Sequence, residues 1–139
     1  MYAPLWSQGD RLAACNLLDA EHDVLGAHWR ALDRAVEGEE AVLLARTGVE
    51  SMLALLRHHF HNEEFFMRAL RYPDFHSHRN NHQRLIGDFR YVSNVLSQTS
   101  EKWPRIFVLL HKWYLEHGSE HDDRLQDYVG NLLSGDRLR

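Results

Sequence analysis

Cysteine and proline are both scarce in this sequence. Cys15 is the single cysteine, so no disulfide can form within the chain, and a reducing compartment is favoured. The three prolines, Pro4, Pro73 and Pro104, lie outside or at the edges of the segments with regular apolar spacing. Because proline interrupts a helix interior, this distribution permits long helices.

Clusters of basic residues and long apolar runs are also missing. Lys and Arg are scattered and the formal net charge is -4, so we expect no nucleic-acid partner. No apolar run approaches the length needed to span a bilayer, and the N-terminal residues show no signal-peptide pattern. We therefore expect a cytoplasmic protein that does not associate with membranes.

Four segments repeat apolar residues with helical periodicity, and no segment alternates with period two. They predict four helices, at about 17–37, 40–70, 75–97 and 104–133. An N-terminal arm would precede them over residues 1–16. Helices of this length with short connections predict one all-α domain, residues 1–139, folded as an up-down-up-down four-helix bundle.

Each apolar stripe is interrupted where His or a carboxylate takes the place expected for Leu. His59 and Glu63 are four residues apart, as are His78 and His82, so each pair lies on one helix face. A buried ionised carboxylate costs several kcal/mol unless it is compensated. One buried histidine needs no special explanation. Five stripe histidines and a glutamate, drawn from all four helices, predict a metal site.

The fourth helix leaves its second ligand open. His121 follows His117 by four residues and Asp122 follows it by five. At about 100° per residue, His121 lies about 40° from His117 around the helix, and Asp122 about 140°. Simple helical geometry therefore favours His121. Asp122 would require a side-on bridging role or a local distortion near Gly118.

These segments together resemble the hemerythrin family, in particular the single-domain bacteriohemerythrins. The family pattern is DxxH, then HFxxEExxM, then YP followed by HxxxH, then WxxxHxxxxD. This chain has DAEH at 19–22, HFHNEEFFM at 59–67, YPDFHSHRNNH at 72–82 and WYLEHGSEHD at 113–122, in the same order and spacing. Trp6 matches the aromatic residue that precedes the first helix.

The resemblance implies a pair of iron ions joined by an oxo or hydroxo bridge. It implies seven metal ligands: His22, His59, Glu63, His78, His82, His117 and Asp122. The three histidines of the third and fourth helices would bind one iron, and those of the first and second helices the other. Glu63 and Asp122 would bridge the two irons. His121 would then be a neighbour of the ligands or exposed.

Counting these ligands leaves one coordination position open, on the iron held by His22 and His59. The implied function is reversible binding of O2 there, as peroxide, for storage, delivery or sensing, without catalysis. The chain has no Glu-x-x-His pair, which counts against the carboxylate-rich di-iron oxidases. O2 is the expected partner, together with a protein that receives O2 or a signal.

Other functions are compatible with the same ligands. The chain could be a sensing module that acts through a partner, a di-iron enzyme acting on peroxide or nitric oxide, or an iron store. A bundle without metal, with chance histidines, is a further alternative. The remaining histidines are expected on solvated faces: His28, His58, His61, His76, His111 and His121.

Apolar side chains should surround the open position and exclude water. The candidates are Leu25, Trp29, Phe60, Met67 and Trp113, although plain core packing explains each of them equally well. Tyr114 stands where the family commonly has Leu. We expect its ring to cover the pocket and its hydroxyl to alter autoxidation.

Overall fold

The structure, a computed structural model, describes residues 7–35, 41–96 and 103–138. These residues form five helices and no strand: α1 (Gln8–Ala35), α2 (Ala41–Ala69), α3 (Phe75–Leu96), α4 (Trp103–His117) and α5 (Asp123–Leu138). A π-helical turn, Gly118–Asp122, joins α4 to α5, so that the three pieces make one fourth rod. The predicted all-α four-helix bundle is confirmed. None of the helices described is long and apolar enough to cross a membrane.

Neighbouring helices run antiparallel. Glu21 of α1 lies beside His59 of α2, whereas Leu32, further along α1, packs over Gly48, earlier in α2. The same reversal relates α2 to α3 and α3 to the fourth rod. The last turns of α2 and the first turns of α3 therefore lie level with the middle of α1 and of the fourth rod.

The first helix begins earlier than the sequence analysis predicts. The Ser7 hydroxyl accepts a hydrogen bond from the Asp10 backbone N–H at 3.1 Å, and the Asp10 carboxylate accepts one from the Ser7 N–H at 3.0 Å. This reciprocal pair is a capping box, which starts α1 at Gln8. Of the predicted arm, residues 1–16, the part from residue 8 to residue 16 is wrong, because these residues belong to α1. Trp6 and the predicted boundaries at 37, 40 and 97 lie outside the described residues.

The turn between α2 and α3 fixes how these two helices meet. The Tyr72 N–H donates to the Met67 carbonyl at 2.9 Å, and the Arg71 N–H donates to the Arg68 carbonyl at 3.1 Å. Arg71 has a φ of 54°, the left-handed conformation that a Schellman helix end requires. Tyr72 is buried and Pro73 follows it, so the chain leaves α2 and re-enters a helix at Phe75.

The core is divided into three layers along the bundle. One apolar layer includes Leu25, Trp29, Leu56, Phe60, Phe89 and Leu110. The other includes Leu18, Phe66, Met67, Leu70, Leu125 and Val129. The buried polar residues His59, Glu63, His78, His82 and His117 fall between them in the helices that carry them. Burial of the two apolar layers supplies the main stabilisation, and the polar layer has to be compensated separately.

Candidate metal centre

All seven predicted ligand residues lie within the described part of the chain, and the structure brings them together. Their donor atoms form two overlapping groups in which the atoms lie within 4.8 Å of one another. The larger group holds Glu63, His78, His82, His117 and Asp122, and the smaller holds His22, His59 and Glu63. Glu63, His78, His82 and His117 are each no more than 2% exposed, so the centre is in the core.

The π-helical turn explains how Asp122 reaches the centre. The Asp123 N–H donates to the Gly118 carbonyl, five residues earlier, where an α-helix would use the residue four earlier. The turn therefore accommodates one extra residue. Asp122 is carried round to the face of His117, with its Oδ1 3.1 Å from the His117 Nε2. Spacing alone favours His121, but His121 belongs to neither donor group.

The extra residue also shifts the packing of α5. Leu125 and Val129 are buried, whereas Tyr128, which the periodic pattern places on the apolar stripe, is half-buried. Counted from His117, the inward positions Asp122, Leu125 and Val129 follow at gaps of five, three and four. If the first gap were four residues, the spacing would be the usual heptad pattern. The π-helical turn therefore accounts for the one additional residue.

Glu63 has a different set of histidines facing each of its two oxygens. Its Oε1 lies 2.7 Å from the Nε2 of His78 and 3.0 Å from the Nε2 of His82. Its Oε2 lies 3.4 Å from the Nε2 of His59 and 4.0 Å from the Nε2 of His22. One carboxylate thus spans two groups of imidazoles.

The two oxygens of Asp122 also face different histidines. Its Oδ1 lies 3.1 Å from the Nε2 of both His78 and His117, while its Oδ2 lies 3.9 Å from the Nε2 of His22. Both carboxylates therefore offer one oxygen to a three-histidine half and the other oxygen to a two-histidine half. This division is compatible with metal ions bound in the two halves.

Contacts between carboxylates and imidazoles shift the pKa values of both kinds of group in the cluster. Burial alone would raise the pKa of Glu63, but hydrogen bonds with His59, His78 and His82 hold it well below its usual range. Burial opposes protonation of His78, yet its contacts with Asp122 and Glu63 raise its pKa to about 9. The protein thus favours ionised carboxylates with positive charge between them. A metal ion supplies such charge when the imidazoles are neutral.

The donor set also fits a metal because it leaves imidazole nitrogens unused. The Nε2 atoms of His22 and His117 are buried and make no hydrogen bond within the described residues. A buried, unpaired polar atom is costly unless something else satisfies it. Five inward-facing Nε2 atoms and two carboxylates are oxygen and nitrogen donors suited to iron and similar ions.

The opposite ring nitrogens show how the ligands are oriented. The Nδ1 of His59 donates to Glu21 at 3.1 Å, and the Nδ1 of His82 donates to Glu64 at 3.1 Å. The Nδ1 of His117 donates to the side-chain oxygen of Asn81. Each bond places a ring proton on Nδ1, so that the neutral imidazole would offer the lone pair of its Nε2 to a metal. In every case the acceptor lies one helix earlier in the chain than the histidine it holds.

These three acceptors were not identified as orienting residues by the sequence analysis. Periodicity selects residues on the same face as a ligand, whereas Glu21, Glu64 and Asn81 lie immediately next to a ligand in sequence. They point to the adjoining helix rather than to the centre. The sequence feature that could have identified them is a polar residue directly beside a predicted ligand. It occurs in the pairs Glu21–His22, Glu63–Glu64 and Asn81–His82.

The predicted lining residues divide between the two apolar layers. Phe60 stacks on the His82 ring, with centroids 3.9 Å apart and planes 6° apart. Leu25 and Trp29 lie in the same layer as Phe60, with Trp113 and Tyr114 packed against it. Met67 lies in the other layer, on the opposite side of the centre.

The other histidines only partly follow the prediction of solvated faces. His58, His61 and His76 are exposed, whereas the remaining three are half-buried: His28, His111 and His121. His111 stacks on Trp29, with ring centroids 4.8 Å apart. His121 lies against the rings of His78 and His117 without joining the donor groups.

Deleting Ser119 tests the π-helical turn. Ser119 is exposed, and among the described residues its hydroxyl donates a hydrogen bond to the Glu116 carbonyl alone, at 3.2 Å. Without it, Asp122, Leu125 and Val129 would follow His117 at the gaps of a regular α-helix. We expect unchanged binding of Co²⁺, titrated by its visible absorption, and an unchanged or higher Tm.

Deleting Asp127 is the matched control, because this exposed residue lies in regular α-helix between Leu125 and Val129. The deletion rotates Val129 out of the core, and we expect the Tm to fall by about 5 °C. If deletion of Ser119 abolished Co²⁺ binding, regular α-helical spacing would not be sufficient to position Asp122. The π-helical geometry itself would then be required.

Substituting the orienting acceptors should affect the two halves of the centre separately. We expect Glu21→Ala to weaken metal binding at the two-histidine half, and Glu64→Ala at the three-histidine half, each by about 10- to 100-fold. Co²⁺ titrations followed by absorption would resolve the two halves. Glu116→Ala, an exposed change that touches no ligand, should leave both affinities unaltered. Equal weakening of both sites by either substitution would contradict this assignment.

Comparison of the chain with protein-family models, with curated proteins and with solved structures gives no match. The interpretation of the centre therefore rests on its donor atoms and their geometry. These define a buried cluster of histidine, glutamate and aspartate side chains, divided into two halves, that could hold metal ions.

Proposed function

We propose that the chain is a hemerythrin-like, non-haem di-iron protein that binds O2 reversibly, for storage, delivery or sensing. The observation that carries the proposal is the division of Glu63 and Asp122 between the two halves of the centre. Each carboxylate directs one oxygen to each half. Two metal ions held in this way would be unequal, since one half has three histidines and the other has two.

The inequality supports binding of a small molecule. With both carboxylates shared, the two-histidine half has one protein donor fewer than the three-histidine half. A coordination position is therefore left for an exogenous ligand on that side. A ferrous pair would supply the two electrons that O2 takes up on binding and returns on release.

The donor types support a carrier more than an oxygen-activating enzyme. Carboxylate-rich di-iron sites in bundles use two Glu-x-x-His motifs, and this sequence contains none. Here five imidazoles surround two carboxylates. Neutral imidazoles stabilise Fe(II) relative to a carboxylate cage and disfavour higher oxidation states, which suits reversible binding.

The apolar layer on the Phe60 side supports retention of O2. Leu25, Trp29 and Phe60 are each no more than 4% exposed, with Tyr114 packed against them. Such a wall shields the centre from bulk water on that side. An O2 molecule held against it would be protected there from the proton transfer that converts bound O2 to a reduced product.

The proposal is tested by iron content and visible spectra of the purified protein. We expect two irons per chain and a charge-transfer band that appears in O2, disappears on degassing and reappears on re-exposure. His59→Ala should abolish the band, because it removes a ligand of the two-histidine half. His61→Ala changes an exposed histidine two residues further along α2 and should keep it. Irreversible conversion to a ferric form in the first O2 cycle would overturn reversible binding.

Tyr114 gives a second test of O2 binding. Burial, followed by the charges of Asp122 and Glu63, raises the pKa of its hydroxyl to about 12, so it remains a proton donor near both carboxylates. We expect Tyr114→Phe to slow autoxidation several-fold, because it removes this donor and keeps the ring. Tyr114→Leu should behave similarly. An autoxidation rate equal to that of the parent protein in both variants would exclude the hydroxyl from the process.

A further inference from the structure

A cleft between α1 and α5 reaches the centre from the surface. Its volume is about 320 Å³. His22, Glu63 and Asp122 form its inner end, and Cys15 and Asp19 lie along its α1 wall. Asp19 is exposed whereas Glu63 is 1% exposed, so the cleft connects solvent to a bridging carboxylate.

The lining of this cleft favours a cation. Three of its residues, Asp19, Glu63 and Asp122, are carboxylates, and none is Lys or Arg. The remaining walls are largely apolar and include Leu18 and Leu125. Charges of one sign at the bottom of a cleft with low-dielectric walls concentrate their field along it. A divalent cation near the surface is therefore drawn inward.

A second cleft, between α2 and α3, has the opposite character. It is of similar size, about 380 Å³, and touches the outer side of His82. Arg57 and Arg90 line it, and neither Glu63 nor Asp122 does. Its two guanidinium groups outnumber its one carboxylate, Glu64, so this cleft attracts a divalent cation less than the α1/α5 cleft does.

The two halves of the centre also differ in accessibility. His78, His82 and His117 are each no more than 2% exposed. The His22 side chain, by contrast, is 28% exposed and borders the α1/α5 cleft. Its Nε2 atom is buried at the inner end and makes no hydrogen bond within the described residues. The first donor that an incoming ion meets there is free to bind it.

We propose that the α1/α5 cleft is the path by which divalent metal ions reach the centre, with Asp19 attracting them at its mouth. The proposal rests on the centre holding metal, as proposed above, but it does not depend on O2 binding. The metal position at His22 and His59 adjoins this path. That position consequently exchanges its ion with solvent faster than the three-histidine position.

Gly130→Leu tests the path by obstructing it. Gly130 lines the cleft, and a Cβ added there meets no atom within 4 Å, so the backbone leaves room for a larger residue at this position. Gly87→Leu is the matched control, because Gly87 is also an uncrowded helical glycine but lines the α2/α3 cleft. Stopped-flow absorption would follow uptake of Co²⁺ by the metal-free proteins. We expect several-fold slower uptake in Gly130→Leu alone, with the same final stoichiometry.

Asp19→Asn tests the attraction at the mouth. We expect uptake at low salt to slow by about threefold and to become less sensitive to salt, since a charge that steers an ion is screened by added salt. Asp23→Asn removes a charge from the next turn of the same helix, outside the cleft lining, and should have a smaller effect. Final metal content should be the same in both variants, because neither residue is a ligand.

Cys15 allows the path to be closed and reopened in one protein preparation. It is the only cysteine in the chain and lines the cleft. Labelling the metal-free protein with a methanethiosulfonate reagent should slow Co²⁺ uptake, and a thiol reductant should restore it. Cys15→Ala, treated identically, should show no change.

Equal uptake rates in the parent, Gly130→Leu and labelled proteins would overturn the path, as would parent protein that takes up no Co²⁺ at all. Failure of the O2 proposal gives a different result. In that case the parent protein takes up Co²⁺ at cleft-dependent rates, while its iron form shows no reversible band in O2.

Discussion

The fold is organised around an ionised carboxylate that is almost completely buried. Glu63 is 1% exposed and lies in the middle of the bundle, where an isolated negative charge would be strongly unfavourable. Histidines from α2 and α3 approach its oxygens closely, and one from α1 lies within 4.0 Å. The two apolar layers on either side lower the local dielectric, which strengthens these interactions. The apolar layers thus make the histidine contacts necessary, because Glu63 is buried between them, and they also strengthen those contacts.

The same polar layer is maintained by contacts that run in one direction along the chain. Glu21 of α1 holds His59 of α2, Glu64 of α2 holds His82 of α3, and Asn81 of α3 holds His117 of α4. Each of the first three helices therefore contributes a donor residue to the centre and orients a donor residue on the next helix. Preorganisation of this kind makes the donor positions a property of the whole bundle.

The sequence was sufficient for the bundle and for six of the ligand positions, because these depend on helical periodicity. His59 with Glu63, and His78 with His82, are four apart and must share a face. Asp122 could not be obtained in this way, since the π-helical turn changes the number of residues per turn. The resemblance supplied Asp122 where geometry favoured His121. Leu125 and Val129 were missed for the same reason, because they follow the turn. The early start of α1 was visible in the Ser7 and Asp10 pair, which periodicity does not consider.

The polar layer has a consequence for how the helices align lengthwise. Apolar stripes with heptad spacing can slide past one another by one helical turn, about 5.4 Å, and still bury similar side chains. In this bundle such a slip would separate each ordered histidine from the acceptor on the preceding helix and would leave Glu63 without its imidazoles. The buried polar contacts therefore fix a single axial register for all four rods. They define the alignment of the whole scaffold.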